Sequence, residues 1–381
     1  MGRSITDALP RLRAVMVKAL RSFGGVSVSN RLFTVGPVEV FDDTLKAMSK
    51  PMMIHRGEDY KRLQRGIVEK LHKVLDTDMQ IFLVPASASG FLESCVRCGV
   101  GENMTSLSNG SFGDRWGSIG LANGKHVTKI NVPWGKAIRG SDVATKIQPT
   151  TEAVTVVSNE SSTGVLNPTL EIVKAIRADE DPLIFVDGVT SVGAVDLKIK
   201  EMNIDALVFG TQKAFALPPG LAILCASERL IKKAEKVQNR GYYFDILEIK
   251  KAADKDLPLT PPPVSLMYGM EYQLDKMLKE GMANRYARHH AMAETARDWA
   301  RKRFKLYAEE GYLSETITVV ETGKLDVGRL DKDLKAHGFE VSPGYGKLKD
   351  NTFRIGHMGD LTVKDVKDLL NALDDVLEVM K

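Results

Sequence analysis

The sequence predicts an α/β fold, with a large mixed-sheet α/β domain followed by a smaller C-terminal α+β domain. Three observations predict it. From Phe33 onward, short apolar runs alternate with helical patterns, which places a sheet inside helical layers. At 381 residues the chain exceeds what one hydrophobic core usually organises, so a second unit is expected. After a Pro-rich stretch at 258–263 the pattern changes, and a long helical run over 265–304, broken near Gly281, leads from one unit into the next. The expected organisation is an N-terminal extension at 1–30, a large domain at 31–281 and a small domain at 282–381.

The extension carries Arg3, Arg11, Arg13, Lys18 and Arg21 against one acid, Asp7, a balance seen in organellar transit peptides. The preferred reading is an amphipathic helix through Ala14, Val15, Val17, Ala19 and Leu20, lying on the protein or on a partner subunit. Strands are expected at 81–84, 153–158, 183–186, 206–209 and 221–225, each bounded by turn or cap residues. Only 210–220 separates the last two, and it contains Pro218, Pro219 and Gly220. That is short for a parallel crossover, so this pair should be antiparallel. Beyond the long helices, strands at 316–320 and 353–355 and a helix at 363–380 fit a small α+β unit.

Composition narrows the function classes. A formal charge of +4 from dispersed Lys and Arg makes no case for nucleic acid. No run reaches the ~18–20 apolar residues of a bilayer crossing, so no membrane span is expected. Three cysteines make no disulfide framework and suit a reducing, cytoplasmic setting. Cys95 and Cys98 lie at i and i+3 of a helical pattern, where core cysteines are expected rather than metal ligands, and no metal site is anticipated. His289 and His290 sit in a charged helical pattern whose default is a solvated face. Neither a dinucleotide nor a nucleoside triphosphate fingerprint occurs.

The chemistry gathers at strand ends. Asp187 ends the apolar run 183–186, and Lys213 follows the run 206–209. If both strands run the same way in one sheet, the two side chains open into one cleft beyond its edge. Pyridoxal phosphate requires such a pair: a lysine holds its aldehyde as an imine, and a carboxylate keeps the pyridine nitrogen protonated so that the ring accepts electrons from a substrate carbanion. Singly, a strand-end Asp most often caps the next turn, and a loop Lys is most often solvated. A phosphate cradle earlier in the chain shifts the balance. Ser87, Ala88, Ser89 and Gly90 lie between the run 81–84 and a helical pattern through 91–96. Small residues there let backbone amides approach an anion, Ser87 and Ser89 add hydroxyl donors, and the helix N-terminus adds its dipole. Capping by the serines explains that segment equally well on its own.

Together these residues resemble the class V aminotransferases, in the alanine-glyoxylate, serine-glyoxylate and serine-pyruvate branch. The resemblance spans the chain beyond its extension. It runs through Phe33-Thr-Val-Gly-Pro37, His55-Arg56, Asn159-Glu-Ser-Ser-Thr-Gly164, Val186-Asp187-Gly-Val-Thr-Ser-Val-Gly193, Gly210-Thr-Gln-Lys213-Ala-Phe-Ala-Leu-Pro-Pro-Gly220 and Arg354-Ile-Gly356.

The resemblance implies a fold-type I homodimer with active sites at its interface and pyridoxal 5'-phosphate as cofactor. It implies Lys213 as the Schiff-base lysine and proton carrier, Asp187 against the pyridinium nitrogen, Phe112 and Val189 on the two cofactor faces, and Ser161 at the ring hydroxyl. Ser87, the amide of Ala88, Ser89 and Gln212 match the phosphate site, and Thr260 matches a residue that reaches the phosphate of the other subunit. Arg354 matches the arginine that grips the substrate carboxylate, where a planar guanidinium makes two parallel hydrogen bonds. The implied reaction is transamination in two halves, from alanine or serine to glyoxylate or pyruvate.

Two departures stand out. Ala86 and Ala88 occupy positions where the family usually has glycine, and each methyl narrows the available backbone conformations. An extra proline follows Thr260. A cysteine desulfurase is disfavoured, since no cysteine follows Cys225 and Gln212 precedes the lysine. Aspartate, phosphonate and phosphoserine aminotransferases and class V lyases differ in pocket residues and stay open as alternatives. So does a non-catalytic cofactor-binding protein, against which Lys213, Asp187 and Arg354 speak.

Overall fold

Strands buried on both faces read as unbroken apolar runs, and all five of the first group of expected strands lie in one seven-stranded sheet. The computed structural model describes residues 30–323 and 325–380, and the basic segment with its amphipathic stripe lies outside them. The strand order is Gln80–Val84, Ala222–Ala226, Ala206–Gly210, Leu183–Asp187, Ala153–Val157, Asn103–Ser108 and His126–Asn131. Of these, Ala222–Ala226 runs antiparallel to both neighbours, as its short connection requires. The other pairs are parallel.

Successive side chains of a strand point to opposite faces, and the two cores follow that period. Val154, Val156, Ile184, Val186, Leu207 and Phe209 pack against the helices Glu58–Leu75 and Val264–Glu280. Ala153, Val157, Phe185, Ala206 and Val208 pack on the other side against the helix Ala88–Gly99 and Trp116 of the helix Ser111–Ala122.

Two strands of this sheet were not among those expected, for physical reasons. His126–Asn131 is an edge strand and mostly exposed, so it carries polar residues. Asn103–Ser108 is buried yet polar, because its hydroxyls find partners. Thr105 Oγ1 pairs with Thr151 Oγ1 at 3.0 Å, and Ser108 Oγ donates to Asp114 Oδ1 at 2.7 Å.

The second sheet has five strands, in the order Arg31–Phe33, Phe339–Pro343, Thr352–Gly356, Ile317–Glu321 and Lys305–Leu306. The helices Met282–Arg301, Val327–Ala336 and Val363–Met380 cover it through Met292, Trp299, Leu334, Leu369 and Leu373, packed with Phe33 and Phe353. Arg31–Phe33, counted by sequence with the large domain, instead adds to this sheet in parallel with Phe339–Pro343. Its short run is too brief to announce a partner so distant in sequence. We propose Gly281 as the boundary between the two units, with this first strand returning to the second.

Arg285 joins the two units. Its guanidinium is fully buried, donating to Gly193 O at 2.9 Å, to Ala214 O at 2.6 Å and to Glu280 Oε2 at 3.0 Å, with Asp360 Oδ1 at 3.4 Å. Paired and fully hydrogen-bonded, the buried charge is tolerated.

Phe185 tests the packing of the large sheet. Its ring stacks near Trp116, with centroids 6.4 Å apart, and a Cβ at Gly99 would meet it at 2.6 Å. Phe185→Ala is expected to cost about 3–5 kcal/mol, read as a lowered urea midpoint for unfolding of the large unit. A midpoint unchanged from wild type would refute this packing.

Candidate active site

The parallel strands of the large sheet all end at the same edge, where open α/β sheets bind ligands. Val84 leads into Ser87, Ser108 into Phe112, Val157 into Asn159 and Ser161, and Gly210 into Lys213, while Asp187 is itself the last residue of its strand. These segments surround a cavity of about 310 Å³. Ser87, Ala88 and Ser89 line it, as do Asp187, Val189, Gln212 and Lys213 from the neighbouring strand ends, together with Phe112 and Ser161; of the expected residues, Thr260 and Arg354 are not in the lining.

Asp187 and Lys213 leave adjacent parallel strands. The Asp187 carboxylate is buried and accepts from the Val189 amide at 2.9 Å. Loss of water pushes it up to about 6, against the pull of that amide, Arg115 and Lys213. The Lys213 amine donates to the carbonyl of Val35. Desolvation brings it down to about 8, and the positive charges of Arg354 and Arg115 act in the same direction while Asp187 opposes them.

Gly36 is required beside this amine. It has a φ of +134°, and a Cβ there would strike Lys213 Nζ. On the far side of the lysine, Ala216 takes a left-handed φ of 50° and its amide donates to the Lys213 carbonyl at 2.9 Å, closing the turn that holds the side chain in place.

The cradle is a helix start. Ser87 is the N-cap of Ala88–Gly99, in extended conformation, and its side chain makes no capping bond. The hydroxyl and the first amides of this helix are therefore available to an anion. Alanine at 86 and 88 is accommodated, since neither position has positive φ.

Arg354 lies in Thr352–Gly356, outside the cavity lining but buried behind it. It donates from Nε to Pro343 O at 2.9 Å and from Nη1 to Ser161 O at 3.2 Å. Its charge is held down to about 10 by desolvation, with Tyr345 and Glu160 opposing. Thr260 stands apart from the cavity, its hydroxyl 3.4 Å from that of Tyr243.

Three further residues belong to the site. Arg115 lines the cavity and forms no salt bridge among the described residues. It lies over the Phe112 ring at 4.6 Å and donates to Tyr345 Oη at 3.1 Å. Tyr345 stacks on Phe112 with centroids 5.2 Å apart and lies beneath the Arg354 guanidinium at 5.4 Å. Asn159 lines the cavity, and its buried Oδ1 has no hydrogen-bond partner among the described residues. Arg115 was detectable in principle, three residues after Phe112 and so on the same helix face. Tyr345 reaches Phe112 only through the tertiary fold.

Cys95, Cys98 and Cys225 are free and buried. No cluster of potential metal ligands and no helix long and apolar enough to cross a membrane occurs among the described residues.

Residues 114–344 match the family model "Aminotransferase class-V". The chain is 32% identical to an uncharacterized aminotransferase of Methanocaldococcus jannaschii, over 92% of this chain and 94% of that one. It is 30% identical to the L-aspartate–glyoxylate aminotransferase of Paracoccus denitrificans, over 87% of each. Among solved structures, an alanine–glyoxylate aminotransferase from Nostoc superposes with a TM-score of 0.87 at 25% identity, covering 93% of this chain and 97% of that one. Fold and cavity thus define an aminotransferase. The chain belongs to the class V family, whose members depend on pyridoxal phosphate.

The residues present fit that cofactor. An enclosed amine, a buried carboxylate, an uncapped helix start and the orphaned Asn159 oxygen face one cavity, each a partner for a different part of the molecule.

Two outcomes follow from the geometry. With its charge held near 8, the Lys213 amine becomes free across roughly pH 7–9 rather than near the ~10.4 of an ordinary lysine. The neutral amine is the nucleophile, so the rate at which the apo-protein captures pyridoxal phosphate, followed by absorbance, should rise through that window and level off above it. A rate still climbing at pH 10 would contradict the lowered lysine. Gly36→Ala, by displacing the amine, should slow capture by about tenfold or more, and unchanged kinetics in that variant would show that the lysine does not need this approach.

Proposed function

We propose that the enzyme transfers the amino group of alanine or serine to glyoxylate or pyruvate, with Lys213 and Asp187 as its catalytic pair. The observation that carries this reading is the placement of Lys213 and Asp187 on adjacent strand ends within one cavity that also holds an uncapped helix start. Bound there, pyridoxal phosphate supplies an aldehyde that takes up the amino group and a ring that accepts the electron pair left on the substrate Cα.

The chain's residues divide the remaining work. Ser87, Ser89, the Ala88 amide and Gln212 hold the phosphate. Asp187, ionised, keeps a proton on the ring nitrogen, while Phe112 and Val189 confine the ring between them. Ser161 holds the ring hydroxyl, and the unpartnered Asn159 Oδ1 is a second acceptor close by. Lys213 first anchors the cofactor through its amine. Once freed, that amine would be placed to take and hold the proton of the substrate Cα, and its low basicity suits both anchoring and proton transfer near neutral pH. Arg354 binds the substrate carboxylate.

The enzyme is proposed to act as a homodimer. Met52, Ile54 and Tyr242 are exposed apolar residues, and Thr260 and Tyr243 lie together near the strand that leads to Ser87, with Tyr243 Oη donating to Pro85 O at 3.2 Å. Thr260 is proposed to reach the phosphate of the second subunit. The free, buried cysteines accord with a cytoplasmic setting.

Arg115 favours a second reading, with an acidic donor such as aspartate, because it adds a cation without a carboxylate partner to the cavity wall.

The deciding experiment is the absorbance spectrum of the protein with pyridoxal phosphate before and after L-alanine, L-serine or L-aspartate, then glyoxylate, with Lys213→Ala alongside. A lysine-dependent visible band that disappears with a donor and returns with glyoxylate is expected, most readily with alanine or serine. Conversion by aspartate alone selects the second reading. A band that no donor changes would refute transamination.

A further inference from the structure

The helix Ser111–Ala122, which carries Phe112, begins at Gly110, a residue with no side chain to cap it. Its first amides are met from another segment of the chain. Glu160 Oε2 accepts from the amides of Phe112 and Gly113, each at 3.0 Å. Glu160 Oε1 accepts from the amide and the hydroxyl of Ser162, at 3.2 and 2.6 Å. Ser162 Oγ in turn accepts from the Ser111 amide at 3.0 Å. Gly110 has to be glycine for this to occur, since a Cβ would strike Glu160 Cγ and Cδ.

The Glu160 carboxylate is fully buried, and no Lys, Arg or His forms a salt bridge with it among the described residues. Burial pushes the Glu160 carboxyl up, with Asp187 acting the same way, and the converging Ser162 and Gly113 donors at the positive end of the helix oppose that shift. Both neighbours of Glu160 line the cofactor cavity, Asn159 on one side and Ser161 on the other. The Ser161 carbonyl accepts from Arg354 Nη1 at 3.2 Å. One rigid peptide segment therefore joins the base of the Phe112 ring to the guanidinium of Arg354.

We propose that Glu160 is a positioning residue for transamination: it sets the Phe112 ring against the cofactor and, through the Ser161 carbonyl, aims Arg354 at the substrate carboxylate, touching neither ligand itself. This rests on the reading of Phe112 and Arg354 given under the proposed function. The carboxylate is needed because four donors converge on its two oxygens. In Glu160→Gln one oxygen is replaced by an amide nitrogen, which sets donor against donor and leaves buried amides unmet. The ring and the guanidinium then lose their common support.

The test compares wild type, Glu160→Gln, Glu160→Asp, Ser162→Ala and Lys213→Ala as full chains. It measures pyridoxal phosphate affinity, circular dichroism of the bound cofactor, KM for the amino donor and the unfolding temperature without cofactor. Glu160→Gln should bind the cofactor about tenfold more weakly or worse, with diminished cofactor dichroism and a raised donor KM. Glu160→Asp, which keeps the charge, should recover part of each. Glu160→Gln with a lowered unfolding temperature but unchanged affinity, dichroism and KM would overturn the proposal, leaving Glu160 as a cap for stability alone. If Glu160→Gln does not fold, Ser162→Ala decides. It withdraws one donor from Glu160 and the acceptor of the Ser111 amide, and should shift affinity and dichroism in the same direction by less; no shift overturns the proposal. Absence of a Lys213-dependent band in wild type would remove the cofactor reading and this inference with it, whereas a normal wild type with an unaffected Glu160→Gln removes this inference alone.

Discussion

An amine and a carboxylate withdrawn from water at the ends of neighbouring strands are the constraint from which the rest of this architecture follows. Desolvation alone would drive both Lys213 and Asp187 toward neutrality, and both are displaced that way, to about 8 and about 6. A surface lysine needs no support, but this one must be held at the cavity wall. The Val35 carbonyl accepts a hydrogen bond from it, Gly36 clears its path, and the left-handed Ala216 closes the turn behind it. Arg285, itself fully buried, ties the next carbonyl, Ala214 O, to a helix of the second unit. The backbone on either side of the lysine is thus fixed before any ligand arrives, the preorganisation on which precise proton transfer depends.

Charge around the cavity is unbalanced in a directed way. Lys213, Arg354 and Arg115 raise the local potential, and the two nearby carboxylates, Asp187 and Glu160, are each held by hydrogen bonds from backbone amides. A site with excess positive charge and low access to water attracts anions more strongly than any single pair suggests. A phosphorylated cofactor and a carboxylate substrate are both anions. The uncapped start of Ala88–Gly99 meets the cavity at Ser87, while Arg354 stands behind its wall, hydrogen-bonded to the Ser161 carbonyl, so the positive features are separate from one another.

Much of this was legible in the sequence because it is local. Leu183–Asp187 and Ala206–Gly210 announce themselves by apolar runs that are buried on both faces, with Asp187 at the end of one and Lys213 just past the end of the other. The antiparallel pairing of Ala222–Ala226 followed from the length of its connection. What stayed hidden depends on contacts between distant segments. Asn103–Ser108 looks like a loop until its hydroxyls are seen to be satisfied by Thr151 and Asp114. Arg31–Phe33 belongs to the second sheet because of residues some three hundred positions later. Tyr345 and Arg115 lie far apart in sequence yet meet above Phe112, and Asn159 gains its interest only once its oxygen is found without a partner. Sequence spacing reveals which residues a strand delivers to an edge, and only packing reveals what they find there.

The misplaced first strand also explains how two units can share one site. Arg31–Phe33 pairs with Phe339–Pro343, which pairs with Thr352–Gly356, the strand that carries Arg354. Two residues past Phe33, the Val35 amide donates to Ser342 Oγ at 3.0 Å, and the Val35 carbonyl receives the Lys213 amine. The acceptor for the Lys213 amine, tied to Ser342 of the small sheet, and Arg354 are therefore anchored on one sheet, while Asp187 and the segment leading to Ser87 belong to the other. Strand pairing supplies this link without any dedicated connecting element, because hydrogen bonds across adjacent strands fix register more firmly than a loop fixes position.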